Sequence, residues 1–202
     1  MRRTHLIVMA KAPVAGYAKT RLIPALGAEG AARLARRLLD ETLAQARAAG
    51  FGALELCCAP DATHAAFAAQ QLRGGVRLSV QAGGDLGARM AQALNRGLAE
   101  ADQVILIGTD APQLDAAYLQ AASAALADSD AVLGPAADGG YGLIGLRRPG
   151  PRLFEAMPWS TERVLALTRE RLGESGLRWV ELPTLFDIDD ADDLAHLPAG
   201  WL

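Results

Sequence analysis

Short runs of consecutive apolar residues alternate along the chain with longer stretches in which apolar positions recur every three or four residues. The runs read as strands buried on both faces and the stretches between them as crossover helices. The rhythm therefore predicts βαβ units around a mostly parallel sheet. Strands are expected over 5–10, 54–59, 76–81 and 104–108, the last apolar throughout and hence central. A helix over 29–49 places Leu34, Ala35, Leu38 and Thr42 on one face and stops at Gly50. Asp61 is expected to cap an alanine-rich helix ending near Leu72, and Asp115 another ending near Leu126. Between them, Met90, Ala93, Leu94, Gly97 and Leu98 fall at helical spacing after a glycine-rich turn. Strands over 131–135 and 140–146 are only four residues apart. A parallel crossover needs about a dozen residues, so the second is expected to pair antiparallel or lie elsewhere in the sheet. The tail holds a helix over 161–172, a strand over 178–182, the acidic turn Asp187-Ile188-Asp189-Asp190 and a last short helix.

Length and composition narrow this picture. The 202 residues suffice for one α/β core and not for two domains with separate sites, and the segment beyond the break at Pro149 to Pro151 carries too few apolar residues to fold alone. With 51% hydrophobic and 21% charged residues the chain is globular, and its 5% aromatic content favours helices packed on a sheet. The net charge of -3 and scattered basic residues exclude nucleic acid as the main partner. The apolar stretch 6–10 is too short for a signal core or membrane span. Cys57 and Cys58 are strand neighbours that point to opposite faces, which argues against a disulfide and for a reducing cytoplasm.

The candidate chemistry lies after the predicted strands. The loop from Lys11 to Arg21 leaves the first strand over the crevice where open α/β sheets bind ligands. Its Gly16 lets backbone approach a phosphate, and Lys11, Lys19 and Arg21 neutralise one. A Walker A loop is rejected because Tyr17 and Ala18 separate Gly16 from Lys19-Thr20. Asp110 follows the central strand, where a carboxylate can hold magnesium together with substrate phosphates. Asp187 and Asp189, two apart in extended chain, face the same way, and either completes such a shell. Asp138-Gly139-Gly140-Tyr141 joins two strands and would look the same as a plain hairpin turn. The G-x-G-x-x-G match beginning at Gly140 continues a strand rather than opening a helix, so it marks no dinucleotide site. Three dispersed histidines exclude a histidine zinc site, and no G-x-S-x-G elbow is present. Trp159 reads as a core aromatic ahead of a helix.

Together these segments resemble the nucleotide-diphospho-sugar transferase superfamily of GT-A fold, within it a group of small bacterial transferases similar to the molybdopterin and phospholactate nucleotidyltransferases. The resemblance is carried by Met9-Ala10-Lys11-Ala12-Pro13 and by 16–22, 84–90, 108–114, 134–146, 158–168 and 187–194. It implies a single-domain three-layer α/β/α, Rossmann-like fold with a mostly parallel mixed sheet. By the same resemblance, Lys11, Gly16, Lys19, Thr20 and Arg21 would cradle nucleotide phosphates, while Gly84, Asp85 and Arg89 would border the base or ribose. Asp110, with Asp189 and Asp187, would hold Mg2+ or Mn2+. Gly139, Gly140 and Tyr141 would border the sugar or acceptor, and Asp110, Lys19 and Asp138 would carry the catalysis, Asp138 as base. Asp110 is followed by Ala111 and Pro112, where glycosyltransferases of this fold carry Asp-x-Asp. The implied activity is glycosyl transfer from a nucleotide-sugar to a small-molecule acceptor. The runner-up is nucleotidyl transfer of guanylyl or cytidylyl type to a phosphorylated acceptor, releasing pyrophosphate. A non-catalytic nucleotide-binding module is the alternative of another class, and a homodimer is left open.

Overall fold

The computed structural model describes residues 2–150 and 152–201; Pro151, the end of the proline break, lies outside the described residues. The strands are β1 Thr4–Lys11, β2 Ala53–Ala59, β3 Arg77–Val80, β4 Gln103–Ile107, β5 Ala131–Pro135, β6 Tyr141–Leu146 and β7 Trp179–Glu181. They form one mixed sheet in the order β3-β2-β1-β4-β6-β5-β7. β1 is parallel to β2 and β4, β2 to β3, and β5 to β7, whereas β6 runs antiparallel between β4 and β5. The short link from β5 to β6 dictates that reversal. Every strand but β6 therefore brings its C-terminal end to one edge, where β6 begins.

The helices are α1 Ile23–Ala48, α2 Ala65–Leu72, α3 Leu86–Glu100, α4 Ala116–Ala125 and α5 Val164–Glu174. Side chains alternate across the pleat, so Leu6 and Val8 meet α1, α2 and α4 through Leu39, Leu43, Phe67 and Leu119. Ile7 and Met9 on the other face meet α3 and α5 through Met90, Leu94, Leu165 and Leu172. Each fully buried Leu or Ile contributes about 1.5–3 kcal/mol, which makes this three-layer sandwich the stable solution. Cys58 and Cys57 part into the two layers in the same way, and both are free thiols. A third cluster of Leu22, Leu34, Leu38 and Ile188, joined by Leu197 and Trp201, packs the C-terminal tail on the start of α1. Among the described residues no helix is long and apolar enough to cross a membrane.

Three local expectations are corrected. α1 begins at Ile23, ahead of 29, but Gly27 at φ 70°, ψ 163° breaks it, and the regular helix starts beyond that kink. Asp61 does not cap α2: its Oδ1 accepts from the N–H and hydroxyl of Thr63, and His64 Nδ1 caps through the N–H of Ala66. The last helix is a 3-10 turn, Asp192–His196. Asp115 caps α4 as expected, its Oδ1 accepting from Tyr118 N at 2.7 Å.

Candidate active site

β1 and β4 are neighbours from which the chain goes on to strands toward opposite edges of the sheet, β2 and β5, and the crevice at such a switch point collects the loops that follow the strands. Asp110 leaves β4 into this crevice. The tail is stitched beside it: Leu185 N donates to Pro135 O at 2.7 Å, Ala137 N to Leu185 O at 3.0 Å, and Ile188 N to Asp110 O at 2.9 Å. Ile188 is fully buried in the third cluster, anchoring Asp187 and Asp189 on either side of it. Asp193 Oδ2 accepts from the N–H groups of Asp189 and Asp190, and Asp190 Oδ1 from that of Asp192 at 3.0 Å. Asp190 thus serves the turn.

Lys19 reaches into the same place from the first loop. Its backbone is left-handed, at φ 49° and ψ 46°, just ahead of a 3-10 turn, Thr20–Leu22. The ammonium lies 2.5 Å from Asp110 Oδ1 and 3.0 Å from Asp189 Oδ1, and donates to Ile188 O at 2.6 Å. Burial disfavours its charge, but attraction and hydrogen bonds to Asp110 and Asp189 outweigh that and raise its pKa above the ordinary lysine value. Asp187 has the opposite surroundings. Its buried Oδ1 has no hydrogen-bond partner, and burial together with Asp110, Asp138 and Asp189 pushes its carboxyl up to about 7. Lys19 therefore leaves the four carboxylates under-compensated.

That imbalance decides whether a divalent ion fits. Among the described residues no group of three or more His, Cys, Asp or Glu is arranged to hold a metal. The donors suit a hard cation that takes one or two carboxylates and fills its shell with waters and phosphate oxygens. Asp187 offers an oxygen that nothing in the fold satisfies.

The other sequence-marked residues are spread along the same edge. Lys11 at the end of β1, Gly16 on the first loop at φ 78°, and Thr20 and Arg21 in the 3-10 turn are all exposed. Asp85 caps α3 through Ala88 N at 2.8 Å, and Arg89 Nε donates to Gly84 O at 3.0 Å, so this group is braced within itself. Asp138 Oδ1 accepts from Gly140 N at 2.8 Å in an exposed turn. Tyr141 packs on the α3 and α5 side, where its buried hydroxyl lacks a partner and burial raises its pKa. Trp159 stacks on Phe154 with ring centroids 6.3 Å apart and packs against the same layer, as a core aromatic does. Sequence reasoning missed the Ile188 carbonyl and Asp193. Only the spacing of Asp193, three and four residues beyond Asp190 and Asp189, hinted at its capping role.

Gly139 ties the Asp138 turn to α5. It sits at φ 87°, a Cβ there would lie 2.6 Å from Glu162 Cα, and its carbonyl accepts from Leu165 N at 2.8 Å. Gly139→Ala is expected to lower stability by about 1–3 kcal/mol through left-handed strain and overpacking, read from urea midpoints. An unchanged midpoint would show that the turn is not held against α5.

The family profile described as "Uncharacterized protein conserved in bacteria (DUF2064)" matches residues 42–161. No curated protein matches the chain. Among solved structures, a provisionally named nucleotide-diphospho-sugar transferase from Desulfovibrio desulfuricans G20 is 30% identical, with a TM-score of 0.84 over 96% of this chain and 85% of its own. Rv0371C of Mycobacterium tuberculosis H37Rv, in a complex with manganese, is 22% identical with a TM-score of 0.52 and 98% coverage of both chains. A nucleotidyl transferase from Methanothermobacter is 17% identical, with a TM-score of 0.62 over 98% of this chain and 97% of its own. The latter two share the fold.

Proposed function

The chain belongs to the DUF2064 family of bacterial proteins, and from that premise we propose that its crevice transfers a group from a nucleotide-bearing donor to a small-molecule acceptor. It is an enzyme of the transferase kind, in keeping with its nucleotide-diphospho-sugar transferase and nucleotidyltransferase neighbours. The observation that carries the proposal is the orphaned Asp187 carboxylate beside Asp110, Asp138 and Asp189, at the edge where open α/β sheets bind ligands. Four acids around one lysine make a site that calls for a further cation, and a cation bridged to phosphate answers it.

In this reading Asp110 and Asp187, with Asp189, hold Mg2+ or Mn2+. Such an ion, when bound, neutralises charge on a departing phosphate. Lys11 and Arg21, both exposed, bind the donor phosphates, and Gly16 on the first loop leaves its backbone open to them. Asp138 takes the proton of the acceptor hydroxyl from its exposed turn. The group transferred is a glycosyl residue from a nucleoside-diphosphate sugar, a reading supported by the name of the 30% identical Desulfovibrio protein.

One observation favours a second reading, nucleotidyl transfer. Two residues after Asp110, where an Asp-x-Asp pair would carry its second acid, stands Pro112, which offers no carboxylate to the crevice. Products separate the two: free nucleoside diphosphate accompanies glycosyl transfer and pyrophosphate accompanies nucleotidyl transfer. A melting screen of nucleoside triphosphates and nucleotide-sugars, with and without Mn2+, is expected to show its largest rise when donor and metal are both present. A shift without either product would point to a non-catalytic binding module. No shift with any donor would sink the proposal.

A further inference from the structure

We propose that Lys19 is a built-in cation of the crevice, bound to carboxylates that a divalent ion also needs, that the ion displaces it, and that donor phosphate then captures the freed ammonium. The inference deepens the proposed function and rests on it for the identity of the incoming ion and anion.

The geometry of the ammonium carries the argument. An ammonium has three N–H donors and no acceptor, and here all three are matched: Asp110 Oδ1, Asp189 Oδ1 and Ile188 O. None is left for a phosphate while the side chain stays where it is. The exposures differ in a telling way, 8% for the Lys19 side chain against 45% for each of its two carboxylates. The lysine lies beneath, and the acids stay open to solvent. A second cation sharing those carboxylates would meet the charge of the first, so occupancy by one weakens the hold of the other.

Residue choice and backbone agree with a displaceable group. The chain has two lysines, Lys11 and Lys19, and every other basic side chain that bears a permanent charge is arginine. A compact ammonium with three rotatable donors suits three converging oxygens, whereas the planar fork of arginine suits one carboxylate side-on. Lys19 is also one of three non-glycine residues with positive φ among those described. Such a conformation persists only while surrounding contacts over-determine it, and the contacts here are the ones a metal would remove. Lysine and metal then exclude each other until donor phosphates give the freed ammonium a new partner.

The Lys19 amine supplies the test on the wild-type chain. Labelling with an amine-reactive reagent, followed by peptide mass spectrometry, gives the ratio of modified to unmodified Lys19. Buried and fully bonded, Lys19 is expected to resist labelling in the free protein. Saturating Mn2+ alone is expected to raise the ratio about tenfold, within the usual range of coupling between ligands, and added nucleoside diphosphate to lower it again. By titration calorimetry without nucleotide, Lys19→Met is expected to bind Mn2+ about tenfold tighter than wild type. If Mn2+ binds the wild type yet leaves both the labelling ratio and the Lys19→Met affinity unchanged, the lysine proposal fails and the transferase reading stands. If Mn2+ binds neither protein, with or without nucleoside diphosphate, both fail. Should Lys19→Met not fold, the wild-type labelling decides alone.

Discussion

Asp110→Asn is expected to lower turnover by about two orders of magnitude or more, the usual cost of removing a group that stabilises developing charge, while the melting temperature barely moves. The fold does not depend on the charge of this side chain. Asp110 holds the tail through its backbone carbonyl, which accepts from Ile188 N, and the amide variant keeps that bond. Its side chain is 45% exposed, so the neutral replacement leaves no buried hole and no large solvation change. Lys19 would keep Asp189 and the Ile188 carbonyl. What is lost is half of the charge pair at the mouth of β4 that the proposed chemistry needs. Turnover at saturating donor, measured beside a melting curve, reads the two effects separately. An Asp110→Asn enzyme with full turnover would remove Asp110 from the metal and catalytic roles at once.

The features legible in the sequence are those governed by local rules. Four residues between β5 and β6 exclude a parallel crossover, and β6 is antiparallel. An unbroken apolar run at 104–108 marks a strand flanked on both sides, and β4 lies between β1 and β6. Asp115 stands at capping distance from Tyr118 and caps α4. Loops that follow parallel strands share one edge, which is reason enough to expect Lys19, Asp110 and Asp189 as neighbours.

How those neighbours engage lies beyond local rules. Lys19 Nζ meets a carbonyl 169 positions away and a carboxylate 170 away, contacts that exist only after the tail docks on α1 through Ile188 and Trp201. From spacing alone Lys11, Lys19 and Arg21 are equivalent loop cations. The left-handed turn at Lys19 sends one of them inward and leaves the others exposed. The same holds for the acids: Asp187, Asp189, Asp190 and Asp193 are alike as letters, yet burial and acidic neighbours raise the pKa of Asp187 while hydrogen bonding makes Asp190 and Asp193 pieces of a turn. Cap exchange at α2 has a similar cause, since Asp61 has a nearer partner in Thr63.

The largest effect on folding is expected from a residue remote from the chemistry. Glu55→Ala should destabilise the protein by about 3 kcal/mol, the lower part of the range for breaking a buried ionic network by removing one member. Glu55 is fully buried in the N-terminal half of β2, away from the strand ends that form the crevice. It accepts from Arg77 and Ser79, each at 2.6 Å, and from Arg96, and it pairs with His5 Nε2 at 3.2 Å. Arg77 is half exposed and can turn to water, but His5 is 1% exposed and cannot, and Arg96 is only 29% exposed. Burial alone would raise the Glu55 carboxyl. Hydrogen bonds from His5, Arg96, Ser79 and Arg77 overcome that and hold it well below the usual carboxylate range. With the folded pKa depressed, the unfolded chain binds the proton more readily. The stabilisation is therefore complete above the ordinary glutamate value, about 4.3, and is lost as pH falls through and below it. Glu55→Gln, which cannot titrate, should show a shallower loss of stability on acidification than the wild type, in urea midpoints followed from neutral pH downward. Donor-induced melting shifts should survive in both variants. Parallel acid limbs for wild type and Glu55→Gln would mean that the carboxylate is not what ties β1, β2, β3 and α3 together.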